Sequence, residues 1–225
     1  MPLQNRMSPM GQLHSVKARG LLMGNRGQLH NAEKQIVRSW KLKRWITCAL
    51  DYQGIKRELM APNSYTELFF LDEPTSYAAG HRPCGDCRKD RYKVFKAAWA
   101  KTFPVQDQSA AGIDKVLQAA RLNADNSPRT WQASLEDLPD GTMVEHQGQP
   151  VLLWCGRQWR WSFDGYSPLS QTMATGVVNV LTPEPIVALF KNSLGAELQV
   201  HPSAEGGMGV LGMRNCFREP IPEIL

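Results

Sequence analysis

Residues 78–88 read AAGHRPCGDCR and contain two cysteines, Cys84 and Cys87, separated by Gly85 and Asp86. Two thiolates at this spacing can reach one tetrahedral Zn²⁺ from a tight turn, whose amide groups donate hydrogen bonds to the sulfur atoms. The same spacing also occurs in redox motifs, and the pair supplies only half of a four-ligand site. The pair therefore indicates metal or redox chemistry, and we expect Zn²⁺ as the cofactor.

The segments on either side of this turn predict a strand, a short helix and a longer basic helix. Residues 65–71 (YTELFFL) are rich in the aromatic and apolar residues that strands favour. Asp72 and Pro74 are typical of a helix start, and Gly80 of the end of that helix. Residues 87–101 carry an apolar stripe at helical spacing, with lysines on the other side. The cysteine turn is thus expected between two helices.

This order of elements resembles that of the Ada-type metal-binding domains, which occur in a DNA-repair protein and in stand-alone relatives. Those domains share a strand, a short helix, a knuckle of the form A-A-G-[FYH]-R-P-C-x-x-C and a basic helix, as residues 65–92 do. The likeness is weaker between residue 20 and that stretch, where MGNRGQLH (residues 23–30) stands at the place of the relatives' first ligand. The resemblance implies His30 as a third zinc ligand.

The chain departs from the family pattern at the remaining ligand. The relatives' other upstream ligand follows four residues later, where this chain has Lys34, which cannot bind zinc while protonated. Cys48, the only other cysteine in this half, is therefore the expected fourth ligand, and His81 is the competing candidate. All three candidate ligands also have an alternative role without a metal. Cys48 would be a buried thiol, His30 a hydrogen-bonding turn residue, and His81 a residue that orients the knuckle. Because the methyl-accepting cysteine of the repair protein corresponds to His30, the resemblance does not imply alkyl transfer from DNA.

Basic charge surrounds the cysteine turn. The chain carries a formal net charge of +5, and residues 82–101 contain seven basic and two acidic side chains. Such a patch favours contact with a polyanion, through phosphates. DNA or RNA is therefore the expected partner. A second basic segment, at residues 31–44, is also expected to contact its phosphates. The predicted nucleic-acid contacts in the first patch are Arg82, Arg88, Lys89, Arg91, Lys93 and Lys96.

Periodicity and composition predict an α+β protein with three parts. Residues 1–19 are polar and aperiodic and are expected to form a flexible leader; residues 20–123 would form the zinc-stabilised module of short strands and basic helices, extended by a helix over 109–122. A helix is expected within residues 31–40, and a hairpin with arms at 44–50 and 55–60. Residues 130–225 contain short alternating segments punctuated by glycine, which indicate a small β-rich region.

No run of about 18 apolar residues occurs, and the first twenty residues lack the apolar stretch of a signal peptide. The sequence therefore favours a cytoplasmic protein with no membrane partner. It does not indicate an oligomeric state.

Three functional hypotheses follow. The first is a nucleic-acid-associated module with structural zinc; the second is an enzyme that binds a small molecule in a cleft between the two halves, through Asn25, Arg26, Asp114, Arg121 and residues 164–166. The third is a protein-interaction adaptor. The chain has no Gly-rich phosphate loop, nucleophile elbow or HExxH pattern, so a non-enzymatic function is favoured.

Overall fold

The computed structural model describes residues 1–54, 58–192 and 194–205 and confirms the α+β class. The strands form two six-stranded sheets, with orders β2-β1-β5-β3-β4-β6 and β11-β10-β9-β8-β12-β7. The first sheet contains β1 (Arg6–Met7), β2 (Leu13–His14), β3 (Leu22–Asn25), β4 (Ile46–Cys48), β5 (Leu68–Phe70) and β6 (Arg82–Pro83). The second contains β7 (Trp131–Ser134), β8 (Met143–His146), β9 (Gln149–Trp154), β10 (Arg157–Ser162), β11 (Gly165–Pro168) and β12 (Val177–Val180).

Four α-helices accompany the sheets in the described residues, and two of them, α1 and α3, begin at a capping side chain. They are α1 (Glu73–Ala78), α2 (Lys89–Thr102), α3 (Ala110–Arg121) and α4 (Glu184–Lys191). Asp72 caps α1 by accepting a hydrogen bond from the Thr75 amide, and Ser109 caps α3 in the same way at Gly112. Gly80 follows α1 with a φ of 79°, a left-handed conformation that glycine adopts without strain.

The first nineteen residues are not a flexible leader, and that prediction is wrong. β1 pairs with β2 in antiparallel and with β5 in parallel, where Arg6 is opposite Phe69. Asn5 and Met7 are buried, and the Asn5 carbonyl accepts a hydrogen bond of 2.9 Å from the Phe69 amide. Strands of two residues are too short to show a period of two in the sequence, so only their partner strand reveals them.

Residues 31–40 do not form the predicted helix. His30 and Ile36 form an isolated antiparallel bridge, and the Asn31 side chain binds both the amide and the side chain of Gln35. These local bonds compete with helical ones, as asparagine side chains often do. The predicted hairpin is also wrong for its first arm, because β4 pairs with β3 and β6. Residues 55–57 of the second arm lie outside the described residues.

The two predicted halves share their hydrophobic core. One cluster of buried residues joins α1, α2 and α3 to α4, with Tyr77, Phe95 and Trp99 packed near Ile186 and Phe190. A second cluster contains Leu71 and Ala78 from the first half and residues of β8, β9 and β10 from the second. The hydrophobic effect therefore holds the cysteine-containing part and the β-rich part together. None of the helices described is long and apolar enough to cross a membrane.

Replacement of Met7 by alanine tests the role of the N-terminal strand. Met7 is 1% exposed in a hydrophobic cluster with Leu68 and Phe70, so Met7→Ala should lower the free energy of unfolding by about 2–4 kcal/mol. Val105, which is 97% exposed, supplies the control, and Val105→Ala should change stability by less than about 0.5 kcal/mol. Denaturant unfolding measures both, and equal stabilities for the two variants would contradict the placement of β1.

Candidate metal centre

Three cysteines from two segments of the chain meet at one edge of the first sheet. Cys48 ends β4, while Cys84 and Cys87 lie in the turn between β6 and α2. β4 and β6 run in parallel, with Thr47 opposite Pro83, and the Cys84 amide donates a hydrogen bond of 2.9 Å to the Thr47 carbonyl. This pairing brings the three sulfur atoms within 4.8 Å of one another. The cluster could hold a metal ion.

The geometry and chemistry of the cluster fit Zn²⁺. A tetrahedral ion with Zn–S bonds of about 2.3 Å holds its sulfur ligands about 3.8 Å apart, so the thiols need only small shifts to bind it. The Asp86 amide lies 3.4 Å from the Cys84 sulfur and donates a hydrogen bond to it, as the amides of metal-binding turns do. Cys48 is buried and the other two cysteines are half-buried, so the cluster is closed on one side and open to solvent on the other.

The three thiols differ in pKa. The hydrogen bond from Cys48 lowers the pKa of Cys84 to about 5, and the amides of Asp86 and Cys87 act in the same direction, against desolvation. The same interaction with Cys84, together with burial, raises the pKa of Cys48. Burial also raises the pKa of Cys87. The metal-free cluster therefore carries its thiolate on Cys84 at neutral pH, and a metal that binds all three sulfur atoms must displace protons from the other two.

Neither predicted histidine ligand belongs to the cluster. His30 is buried with Nδ1 at 2.6 Å from the Thr66 hydroxyl and Nε2 at 3.2 Å from the Ala61 carbonyl, so both ring nitrogens already have partners. This placement corrects the prediction of His30 as a ligand and matches its alternative, a hydrogen-bonding turn residue. His81 is buried against the rings of Trp45 and Phe70, and its Nε2 accepts a hydrogen bond from Arg26. Within the described residues, the cluster therefore consists of three cysteines alone.

The arginines of the predicted nucleic-acid patch are engaged inside the protein. Arg82 is buried and makes two bonds of 2.8 Å to the carboxylate of Asp114 on α3. Arg88 and Arg91 both bind the fully buried carboxylate of Glu73 on α1. These pairs join α2 and β6 to the other helices, and they correct the assignment of the three arginines as phosphate contacts.

The lysines of the same patch remain at the surface. Lys89 and Lys93 are exposed, Lys96 is half-buried, and Lys93 lies 3.2 Å from Asp90. In residues 31–44, Arg38, Lys41, Lys43 and Arg44 are also exposed and form no ion pair with a described residue. Of the two basic segments predicted to contact phosphates, residues 31–44 thus keep four exposed basic side chains, and residues 82–101 keep only lysines on the outer side of α2.

A cavity of about 250 Å³ lies between the two halves. Arg26 and Arg121 line it together with Trp45. The rest of its wall comes from residues 9–12, Ser39, Ala78, Ala79, Leu122, Asn126, residues 128–130, Leu181 and Pro183. Of the other residues predicted for such a cleft, Asp114 binds Arg82, the Asn25 side chain accepts a hydrogen bond from the Gly27 amide, and Tyr166 donates one to Asp72. Trp45 was not predicted, and no feature of the sequence distinguishes it from a core tryptophan.

Comparison of the chain with protein-family models, with curated proteins and with solved structures finds no match.

The lowered pKa of Cys84 predicts an unusual pH dependence in the reduced, metal-free protein. The stability that this thiolate contributes is complete above the usual thiol pKa of 9.0 and is lost as the pH falls through about 5. Alkylation of Cys84 by iodoacetamide, mapped by mass spectrometry, should accordingly reach half its maximal rate near pH 5. In Cys48→Ala, which removes the hydrogen-bond donor, that midpoint should rise by more than about one pH unit. A midpoint near 9 in the wild-type protein would contradict the geometry.

Proposed function

We propose that this chain is a zinc-binding protein in which Cys48, Cys84 and Cys87 hold one structural Zn²⁺. The observation that carries the proposal is the convergence of three thiols within 4.8 Å, from a strand and a turn that are far apart in the sequence. Thiolate ligands suit Zn²⁺ and other soft or borderline metals, and the resemblance of residues 65–92 to Ada-type metal-binding domains supports zinc among them.

A structural role follows from what the ion would connect. Cys48 belongs to the sheet, while Cys87 stands just before α2, so a shared ion would tie the edge of the sheet to the start of this helix. The free energy of metal binding then adds to the free energy of folding, because the unfolded chain has no preformed site. A water molecule as the fourth ligand would complete the tetrahedron.

Metal analysis of the protein purified without added metal tests this proposal. One zinc per chain is expected in the wild type and in His30→Ala, whereas Cys48→Ser should lose most of it, because it removes a thiolate donor. Chelation should lower the melting temperature by about 10 °C, the shift expected for the loss of about 4 kcal/mol in a chain of this size. Wild-type protein without a stoichiometric metal, or loss of zinc in His30→Ala alone, would refute the ligand set.

As a second part of the proposal, we infer that the protein contacts nucleic acid through the exposed segment at residues 37–44. This segment, which reads VRSWKLKR, has four exposed basic side chains and the half-buried Trp40, a combination that suits phosphate contact and base stacking. Its place outside helices and sheets leaves its side chains accessible. The lysines on the outer side of α2 form a second, weaker candidate, because Lys93 is close to Asp90.

Salt-dependent binding to single-stranded DNA tests this inference. Arg38→Glu/Lys41→Glu should weaken binding and reduce the dependence of log K on log salt by about one per lost phosphate contact. Arg157, which is exposed at the start of β10, supplies the control. Arg157→Glu changes the charge by the same amount as each of the two substitutions, and this variant should bind as the wild type does. Binding that is equally insensitive to both changes, or absent in the wild type at low salt, would refute the inference.

A further inference from the structure

Two arginines of the central cavity are buried without an acidic partner. Arg26 and Arg121 are each 3% exposed, and neither forms an ion pair with any described residue. Both guanidinium groups lie over the indole of Trp45, at 3.6 and 3.9 Å from its ring centroid. Stacking on an aromatic ring supplies part of the stabilisation that a buried cation needs, but two cations beside one ring also repel each other.

The hydrogen bonds of these arginines are to neutral groups. Arg26 donates to the Ala79 carbonyl at 3.0 Å and to His81, while Arg121 donates to the Gly80 carbonyl at 2.8 Å. The Nε–H of Arg121 is buried and has no acceptor in the structure. The nearest carboxylate in the network, Asp114, is already held by two bonds from Arg82. Burial of positive charges whose hydrogen-bond acceptors are all neutral is costly, and an anion bound in the cavity beside these groups would reduce that cost.

The electrostatics agree with a positive site that is only partly compensated. Burial lowers the pKa of Arg26, and the charge of Arg121 lowers it further. Burial likewise lowers the pKa of Arg121 to about 9, although Asp114 opposes this effect. A bound anion would favour the charged form of both side chains.

The remaining wall of the cavity is mainly apolar and reaches the surface. Met10, Leu122, Pro128 and Leu181 contribute apolar side chains, and the exposed residues at 129–130 form its mouth. The volume of about 250 Å³ is sufficient for a small organic molecule but not for a polymer.

We propose that this cavity binds a small organic anion, with a carboxylate or phosphate group held by Arg26 and Arg121 and an apolar body held by the cavity wall. The planar forks of guanidinium groups match carboxylate and phosphate oxygens, which makes arginine the preferred residue for such ligands. The two arginines that would hold the anion are neither metal ligands nor members of the exposed basic segment, of which only Ser39 lines the cavity.

Titration of the zinc-loaded, full-length protein with phenyl phosphate and with benzoate, at constant ionic strength, tests the proposal. At least one of them should bind saturably at one per chain and raise the melting temperature. Arg26→Met and Arg121→Met should weaken that binding at least about tenfold, because each removes one cation of the pair. Arg38→Met is the matched control, since Arg38 is exposed and outside the cavity wall, and it should bind as the wild type does.

A measurement on the wild-type protein keeps the test independent of variant folding. The Nε–H of Arg121 gains an acceptor when the anion binds, so its proton resonance should move downfield in step with the calorimetric saturation. The proposal is overturned if neither compound binds saturably up to about 10 mM. It is equally overturned if both folded Met variants bind as tightly as the wild type, or if inorganic phosphate binds as tightly as phenyl phosphate, since the apolar wall would then contribute nothing.

Discussion

The parallel pairing of β4 with β6 is the constraint on which both candidate sites depend. In this pairing the Cys84 amide donates a hydrogen bond to the Thr47 carbonyl, and the Arg82 amide donates one to the Trp45 carbonyl. These bonds fix Cys48 next to the cysteine turn and Trp45 next to β6. Trp45 and Cys48 are three residues apart, and side chains along a strand alternate between its faces. The metal cluster and the arginine-lined cavity are therefore on opposite sides of the same strand.

The buried charged side chains of the N-terminal half fall into two groups, which differ in whether they form ion pairs. Arg82 forms an ion pair with Asp114, which joins β6 to α3. Glu73 forms ion pairs with both Arg88 and Arg91, which join α1 to the start of α2. Removal of one member of such a pair leaves an uncompensated buried charge, at a cost of about 3–5 kcal/mol. Arg26 and Arg121 form no such pair with a described residue, and only the charge of Asp114 acts in favour of the charged form of Arg121. The first group serves the fold, and the second has the properties of a binding site.

Most helices and strands were predictable from the sequence, and each wrong prediction has an identifiable physical cause. Capping residues and glycine indicated α1, apolar residues at helical spacing indicated α2 and α3, and alternating segments within residues 130–225 indicated strands of the second sheet. Residues 31–40 have a helical pattern of apolar residues around Ile36 and Trp40, yet the side chain of Asn31 and the bridge from His30 to Ile36 hold an irregular segment there. The strands at the N-terminus escaped prediction because two residues cannot display a period. Local side-chain contacts thus decided the first case, and pairing with the distant strand β5 decided the second.

The sequence by itself determined the α+β class, the cysteine pair at 84 and 87 and the helices on either side of it, because capping, periodicity and ligand spacing act over a few neighbouring residues. The tertiary structure alone decided between Cys48, His30 and His81, since strand pairing rather than spacing brings distant ligands together. It also decided which basic residues are free, because an arginine in a buried ion pair and one in solvent look the same in a sequence. The juxtaposition of Arg26 and Arg121 over Trp45 required folding for the same reason: three segments far apart in the chain meet only when the core that they share has formed.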